Sequence, residues 1–164
     1  MSNITPLQEI SSPLIKDTKG LTINDNKGIV IFLVDDNALY LKSLEIQFSE
    51  ERDLLVKTFL TGEACLESIS LKPDIVVLDY FLDTANNKAM NGLETLVQIK
   101  KASPGTQVII FSAHERTETA VNCIKNGAFD YIVKDEKTFF KLKKSIKKIL
   151  EIHSKEKELI VWDW

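Results

Sequence analysis

Four apolar runs along this chain are each followed at once by a polar residue that can take part in chemistry. Helix-like segments separate the runs, and this alternation indicates repeated βα units around a parallel sheet. Such sheets bind ligands just beyond the carboxyl ends of their strands. The runs and the residues that follow them are Ile29–Val34 with Asp35-Asp36, Ile75–Leu78 with Asp79, Val108–Phe111 with Ser112, and Tyr131–Val133 with Lys134. We therefore expect three carboxylates, a hydroxyl and an ammonium group to meet in one pocket.

A fifth strand is predicted at Leu54–Phe59. The strands read as continuous apolar runs, which is typical of strands buried on both faces of a sheet. Five helices alternate with the strands. The first begins after Asn37 with Leu41, Leu44 and Phe48 on one face, the second is short and runs through Ile69, and the third is opened by Asn91-Gly92. The fourth covers Thr117–Asn126 and is ended by Gly127, and the last begins at Lys137 or Thr138 with Phe139, Leu142, Ile146 and Ile149 on one face. The pattern predicts an α/β fold with a doubly wound, five-stranded parallel sheet and five helices.

The 164 residues are enough for one domain with short extensions. Residues 1–28 lack sustained periodicity and are expected to lie outside the core. Residues 29–152 are predicted to form the domain, and residues 153–164 to extend the last helix or begin a linker. That last helix could pair two chains, so a homodimer is one option.

The composition, 44% apolar and 27% charged, is ordinary for a soluble globular protein. No run reaches membrane-spanning length, so no membrane contact is expected. Cys65 and Cys123 lack metal-ligand spacing and are predicted to be reduced, packed thiols, which favours a cytoplasmic location. Residues 134–158 carry nine lysines against five acidic residues, a local charge of +4. No arginine or aromatic pattern accompanies the lysines, so a solvated face is preferred to a nucleic-acid contact.

Three carboxylates that lie close together repel one another and call for a hard divalent cation such as Mg²⁺. Asp36 and Asp79 are the preferred direct ligands, with Asp35 acting directly or through water. Asp79 is also a candidate nucleophile for an aspartyl phosphate, with Lys134 and Ser112 contacting the phosphoryl oxygens. Each residue also has a purely structural interpretation. Asp35-Asp36 could form a turn, Ser112 could be a loop serine before a helix, and Lys134 could be a surface lysine. Four such residues at four strand ends favour the site.

The chain resembles the receiver domains of bacterial two-component response regulators, from about Ile29 to about Ile152. The resemblance is carried by Asp35-Asp36, the apolar strand into Asp79, Asn91-Gly92, Ser112-Ala113, and Gly127-Ala128-Phe129-Asp130-Tyr131-Ile132-Val133-Lys134. Their order and spacing are highly specific. The resemblance implies a flavodoxin-like sheet in the order 2-1-3-4-5.

The resemblance also implies roles for individual residues. Asp79 is the phosphoacceptor, and the Phe81 backbone carbonyl joins the aspartates around Mg²⁺. Ser112, Ala113 and Lys134 contact the phosphoryl group. Ser112 and Tyr131 form the switch pair, although a tyrosine there could also be a static aromatic at the edge of the core. The partners are a sensor histidine kinase or a phosphotransfer protein, and a downstream protein that the sequence does not identify.

The sequence departs from the family pattern in two loops. The segment Phe81–Met90 is several residues longer than usual, and Asn86-Asn87-Lys88 is predicted to bulge at the pocket rim. Asp135 stands where the family commonly has proline after the lysine. A cis bond before a non-proline residue is costly, so the geometry of that peptide is left open. Phe81 is predicted to hinder attacking water, and His114 to lie at the rim.

Two other functions compete with a phosphorylation-dependent switch. One is a phosphorylation-independent scaffold with a receiver-like pocket, which the presence of both Asp79 and Lys134 argues against. The other is a Mg²⁺-dependent phosphatase that turns over at Asp79; such enzymes usually place an acid two residues after the nucleophile, where this chain has Phe81. The sequence therefore favours a switch that is not an enzyme. No glycine-rich phosphate loop is present, which argues against a nucleotide hydrolase.

Overall fold

The fold is an open sheet with helices on both faces, seen in a computed structural model that describes residues 28–51, 53–82 and 89–161. Strands and helices alternate along the chain. They are β1 (Ile29–Val34), α1 (Ala38–Ser49), β2 (Leu54–Phe59), α2 (Gly62–Glu67), β3 (Ile75–Asp79), α3 (Gly92–Ala102), β4 (Gln107–Ser112), α4 (Thr117–Lys125), β5 (Asp130–Val133) and α5 (Thr138–Val161). The predicted α/β class, with five strands and five helices, is confirmed.

The five strands are parallel and lie in the order β2-β1-β3-β4-β5. This is the flavodoxin-like order that the family resemblance implied. Val34 at the end of β1 pairs with Leu78 of β3, and Ser112 at the end of β4 pairs with Val133 of β5. Because these strand ends are nearly level, the residues that follow them share one edge of the sheet.

Alternate residues of the central strands point to opposite faces, and helices cover both faces. On one face Ile31, Val77 and Phe111 pack against apolar residues of α1 and α5. On the other face the intervening residues, such as Val76 and Ile110, pack against α2, α3 and α4. Every residue of β3 is buried. This double coverage explains why the central strands read as unbroken apolar runs.

The predicted helix boundaries at Asn37, Asn91 and Gly127 are confirmed. The Asn37 side chain accepts hydrogen bonds from the backbone N–H groups of the first turn of α1. Asn91 and Glu94 form a reciprocal capping box at the start of α3. Gly127 follows α4 with φ +98°, a left-handed conformation that favours glycine. Local chemistry in the sequence thus fixes three helix ends.

The short helix predicted through Ile69 is wrong in its end. α2 stops at Glu67, and Ile69–Leu71 form a 3₁₀ turn. The reason is a change of hydrogen-bond pattern: the Ser68 N–H donates to the carbonyl of Cys65, three residues back. Lys72 then adopts a left-handed φ of 50° before Pro73. A proline ring clashes with the preceding residue when that residue is in the α conformation, so the helix does not continue through Lys72.

The predicted N-terminal extension, residues 1–28, falls outside the described residues apart from Gly28, and so do residues 162–164 of the predicted C-terminal extension. Helix α5 continues to Val161, nine residues beyond the predicted end of the domain at Ile152. Cys65 and Cys123 are buried free thiols. None of the helices in the described ranges combines the length and the apolar character that a bilayer crossing requires.

Candidate phosphorylation site at the carboxyl edge of the sheet

Asp35, Asp36 and Asp79 meet at the carboxyl ends of β1 and β3. Each offers a carboxylate oxygen, and these oxygens all lie within 4.8 Å of one another. Asp35 and Asp79 are buried, with relative exposures of 0% and 4%, whereas Asp36 is exposed. Adjacent parallel strands end at the same edge of the sheet, which is why residues 44 positions apart come together. The predicted acidic cluster is confirmed as a geometric feature.

Backbone hydrogen bonds hold the two buried carboxylates. The Asn37 N–H donates to Oδ1 of Asp35 at 2.8 Å, in the turn that leads into α1. The Phe81 N–H donates to Oδ1 of Asp79 at 3.3 Å. Each aspartate therefore keeps its second oxygen, Oδ2, for other partners.

Lys134 supplies the positive charge of the pocket. Its Nζ lies 2.7 Å from Oδ2 of Asp35 and 3.2 Å from Oδ2 of Asp79. Its own N–H donates to the Ser112 carbonyl at 2.8 Å, which ties the end of β5 to the end of β4. One ammonium group bridges two buried carboxylates, and the three aspartates with this lysine carry a formal charge of −2.

Burial dominates the electrostatics of the carboxylates. Burial raises the pKa of Asp79 to about 6; the Lys134 ammonium acts in the opposite direction, and the charge of Asp35 adds to the rise. Burial, followed by the charge of Asp35, also raises the pKa of Asp36. For Lys134, burial alone would lower the pKa, but its hydrogen bond to Asp35 and the charge of Asp79 outweigh burial and raise it. The pocket thus favours taking up another cation.

The loop after β4 brings the other predicted residues to the rim. Ser112 is buried, and its Oγ accepts a hydrogen bond from the His114 N–H at 3.3 Å; Ala113 between them is exposed. Tyr131 on β5 is half-buried, and its hydroxyl donates to the His114 carbonyl at 3.0 Å. Ser112 and Tyr131 are therefore linked through one residue, His114. Their roles as a switch pair stay a prediction.

Phe81 lies at the rim, two residues after Asp79. Its side chain is 38% exposed, and its ring meets those of Tyr80 and His114 edge-on, at centroid distances of 4.9 and 5.3 Å. His114 is exposed, at the rim position that the sequence predicted. These contacts put an apolar surface beside Asp79. The role of the Phe81 carbonyl as a metal ligand stays a prediction.

The structure describes one of the two loops in which the sequence departs from the family pattern, and only part of the other. The predicted bulge Asn86-Asn87-Lys88 lies outside the described residues, but the chain beyond it is anchored, since the Met90 N–H donates to the Glu63 carboxylate at 2.7 Å. The peptide bond between Lys134 and Asp135 is trans, as is every peptide bond among the described residues. Asp135 accepts a hydrogen bond from the Lys137 N–H and leads into α5.

Three contributors to the pocket were missed from the sequence. Gly92 packs so tightly behind Asp79 that a Cβ there would lie 2.4 Å from the Asp79 carbonyl oxygen. The rings of Tyr40 and Phe111 lie against the Lys134 ammonium, at 4.8 and 4.4 Å from Nζ to the ring centroids. The Asn-Gly pair gave a signal for Gly92, but the two aromatic residues carry none.

Comparison with known proteins agrees with the geometry. The family model for the response regulator receiver domain matches residues 31–147. The nitrate/nitrite response regulator protein NarL of Escherichia coli K12 is 30% identical over 115 residues, which are 69% of this chain and 51% of NarL. The DNA-binding transcriptional regulator NtrC of the same strain is 34% identical over 106 residues, 64% of this chain and 21% of NtrC. The chain thus spans about half the length of NarL.

Solved structures give the same result. The BeF3-activated DrrB receiver domain is 31% identical with a TM-score of 0.65, and the match covers 76% of this chain and 98% of that domain. A CheY-like response regulator receiver domain protein from Methanospirillum hungatei JF-1 is 25% identical with a TM-score of 0.68, over 78% of this chain and 98% of the other. The resemblance stated from the motifs is confirmed: this chain belongs to the family of response regulator receiver domains.

Proposed function

We propose that this protein is a phosphorylation-dependent signalling switch in which Asp79 accepts a phosphoryl group from a histidine kinase or a phosphotransfer protein. The observation that carries the proposal is the joint placement of the acidic cluster and Lys134 around Asp79. A carboxylate ringed by charged groups at a strand end, beside a lysine that can pair with phosphoryl oxygens, suits phosphoryl transfer.

The donor set fits a magnesium ion. Mg²⁺ is usually held by one or two carboxylates together with waters and phosphate oxygens. Asp36, Asp79 and the Phe81 carbonyl would hold it, with Asp35 directly or through water. When bound, the ion neutralises charge on the carboxylates and on the incoming phosphoryl oxygens. Among the described residues, the ammonium group of Lys134 alone cannot balance the three carboxylates, which supports an added cation.

The transfer step belongs to Asp79. Its Oδ2, which no backbone group of the described residues binds, attacks the phosphorus of the phosphohistidine. The P–N bond breaks, the imidazole nitrogen leaves with the electron pair and takes up a proton, and an acyl phosphate remains on Asp79. Lys134 then pairs with a phosphoryl oxygen in place of the lost carboxylate charge.

The loop after β4 would carry the signal. Phosphorylation adds between one and two negative charges and three strong acceptor oxygens. We expect the Ser112 hydroxyl to donate to one of these oxygens, which changes its bond with the His114 N–H. Because the Tyr131 hydroxyl donates a hydrogen bond to the His114 carbonyl, a shift of His114 would change the position of the Tyr131 side chain. The change is a shift between two packings of one fold.

The proposal extends to the setting of the protein. The output is binding of a downstream protein. A cytoplasmic location fits the two free thiols. Phe81 in the second position after Asp79, where turnover phosphatases usually place an acid, supports a switch over an enzyme. Pairing of two chains through α5 and the absence of nucleic-acid binding stay predictions.

The test is intact mass spectrometry after incubation with Mg²⁺ and acetyl phosphate. Wild type should gain the mass of one phosphoryl group, and Asp79→Asn should gain none. Omitting Mg²⁺, with EDTA present, should suppress the gain in wild type. If wild type binds Mg²⁺ but never gains a phosphoryl group, the scaffold function replaces the switch.

A further inference from the structure

Two aromatic rings lie against the Lys134 ammonium, which also contacts the carboxylates of Asp35 and Asp79. Its Nζ lies 4.4 Å from the centroid of the Phe111 ring and 4.8 Å from that of the Tyr40 ring. The two rings are stacked, with centroids 5.9 Å apart and planes at 23°. An ammonium group at these distances from aromatic faces is attracted by the ring quadrupoles.

Both rings are held by elements that also form the site. Phe111 is fully buried in β4, directly before Ser112, and pairs with Asp79 in the sheet register. Tyr40 lies in the first turn of α1, where its N–H donates to Oδ1 of Asn37 at 3.0 Å. The backbones that carry the two rings are therefore fixed by the sheet and by a helix cap.

The lysine needs such support because its charge has two tasks. In the structure, Nζ bridges Asp35 and Asp79. When Asp79 becomes an acyl phosphate, the ammonium must exchange a carboxylate oxygen for a phosphoryl oxygen. A four-carbon side chain has many rotamers, and a compact ammonium group is strongly attracted to bulk water. Once the Asp79 contact is lost, the ion pair with Asp35 remains, and the two rings add to it in opposing escape of the ammonium to solvent.

We propose that Tyr40 and Phe111 form an aromatic seat that holds the Lys134 ammonium at the phosphorylation site while its anionic partner changes. Both are positioning residues, since they act through Lys134. The inference rests on the proposed function for its kinetic consequence, but the seat itself exists in the unphosphorylated protein. An aromatic ring in the place of Tyr40 is what matters, and its hydroxyl is dispensable.

The first readout is spectroscopic and needs no phosphodonor. Protons that lie over an aromatic face resonate upfield, so the ε-methylene protons of Lys134 should show a ring-current shift in the full-length protein. Tyr40→Leu should reduce that shift and Tyr40→Phe should keep it. Unshifted Lys134 protons in wild type, or a shift that Tyr40→Leu leaves unchanged, would overturn the seat.

The second readout is the rate of phosphorylation at saturating acetyl phosphate and Mg²⁺. Tyr40→Leu should lower this rate by about fivefold to tenfold, while Tyr40→Phe restores it and the Mg²⁺ affinity stays the same. The matched control is Phe48→Leu, a buried aromatic on the same helix whose ring packs edge-on against Phe139, with centroids 4.9 Å apart, and makes no contact with the Lys134 ammonium. It should lose stability but keep the rate.

Two kinetic outcomes contradict the inference. If Tyr40→Phe is as slow as Tyr40→Leu, the hydroxyl is responsible and the ring is not. If Phe48→Leu is as slow as Tyr40→Leu, general destabilisation explains both. Should Tyr40→Leu fail to fold, Phe111→Leu tests the other half of the seat by the same two readouts. If wild type takes up no phosphoryl group, the proposed function fails, yet the ring-current comparison still decides whether the seat exists.

Discussion

The Nζ of Lys134 lies 3.2 Å from a carboxylate oxygen of Asp79, and both side chains are largely withdrawn from solvent. The same ammonium lies 2.7 Å from Asp35, so it counters two buried charges at once. Removing one partner of a buried ion pair is strongly destabilising because the other charge is left unpaired. The metal-free pocket therefore depends on this lysine for stability.

Lys134→Met should lower the free energy of unfolding of the metal-free protein by about 3 kcal/mol, because it leaves two carboxylates without their cation. In the Asp79→Asn background the loss should shrink, by at least about 1 kcal/mol, since one of these charges is gone. Urea denaturation of the four proteins in EDTA measures the coupling. Equal losses in the two backgrounds would show that Lys134 and Asp79 do not interact.

The pH dependence of the unfolding free energy should show the cost of burying the Asp79 carboxylate in its charged form. Burial raises its folded pKa to about 6, above the unfolded value, so the folded state binds the proton more tightly. The stability linked to this proton is fully present below the unfolded pKa and is lost as pH rises through about 6. Above that pH, Asp79→Asn should be more stable than wild type by up to about 3 kcal/mol.

Urea denaturation in EDTA, from about pH 4.5 to about pH 8, measures the difference in unfolding free energy between Asp79→Asn and wild type. The gap between Asp79→Asn and wild type should open with rising pH. A saturating concentration of Mg²⁺ should narrow it, because the ion binds the wild-type carboxylates in the folded state. An Asp79→Asn protein that is less stable than wild type at the alkaline end would contradict the burial argument.

Gly92 is predicted to be irreplaceable at the back of the site. A Cβ at this position would lie 2.4 Å from the Asp79 carbonyl oxygen and 2.6 Å from the Tyr80 Cα, and backbone atoms cannot move aside cheaply. Gly92→Ala should cost about 2–3 kcal/mol of stability and displace Asp79. Gly105→Ala is the matched control, because a Cβ there meets nothing within 4 Å; its cost should stay within about 0.5 kcal/mol. Similar losses for both would refute the steric account.

Neither cysteine should react with a thiol reagent in the native protein. Burial raises the pKa of Cys65 to about 12 and raises that of Cys123 as well, so the reactive thiolate is scarce and shielded. Ellman's reagent should release no colour under native conditions and should titrate both thiols in denaturant. Rapid reaction of a native thiol would contradict the packing of α2 or α4.

The sequence predicted those parts of the site that depend on strand order alone. Asp35, Asp79 and Lys134 each follow an apolar run, and parallel strands bring such residues to one edge by geometry. Helix ends at Asn37 and Asn91 were equally readable, because capping is a local effect. Contacts that depend on how a helix lies across the sheet were not. No pattern in the chain indicates that Tyr40 reaches Lys134, 94 positions away.

Other misses have local causes of a finer kind. The predicted helix through Ile69 has the right residues but changes to 3₁₀ hydrogen bonds near its end, a difference that apolar spacing does not encode. The edge-on packing of Phe81 on His114 joins the loops after β3 and β4. It depends on how close these two loops lie in space, which local sequence patterns do not show. Whether Phe81 slows hydrolysis stays a prediction; Phe81→Asn should shorten the acyl-phosphate lifetime, and an unchanged lifetime would end that idea.

The central claim is that Asp79 is the residue that carries the phosphoryl group, and chemical localisation of the adduct tests it most directly. Borohydride reduces an acyl phosphate and converts the aspartate that bears it to homoserine, which peptide mass spectrometry can place in the sequence. After incubation with Mg²⁺ and acetyl phosphate, homoserine should be found at position 79 and at no other aspartate, with none in Asp79→Asn. Homoserine at Asp35 or Asp36 in wild type, or none at all in protein that binds Mg²⁺, would contradict the account.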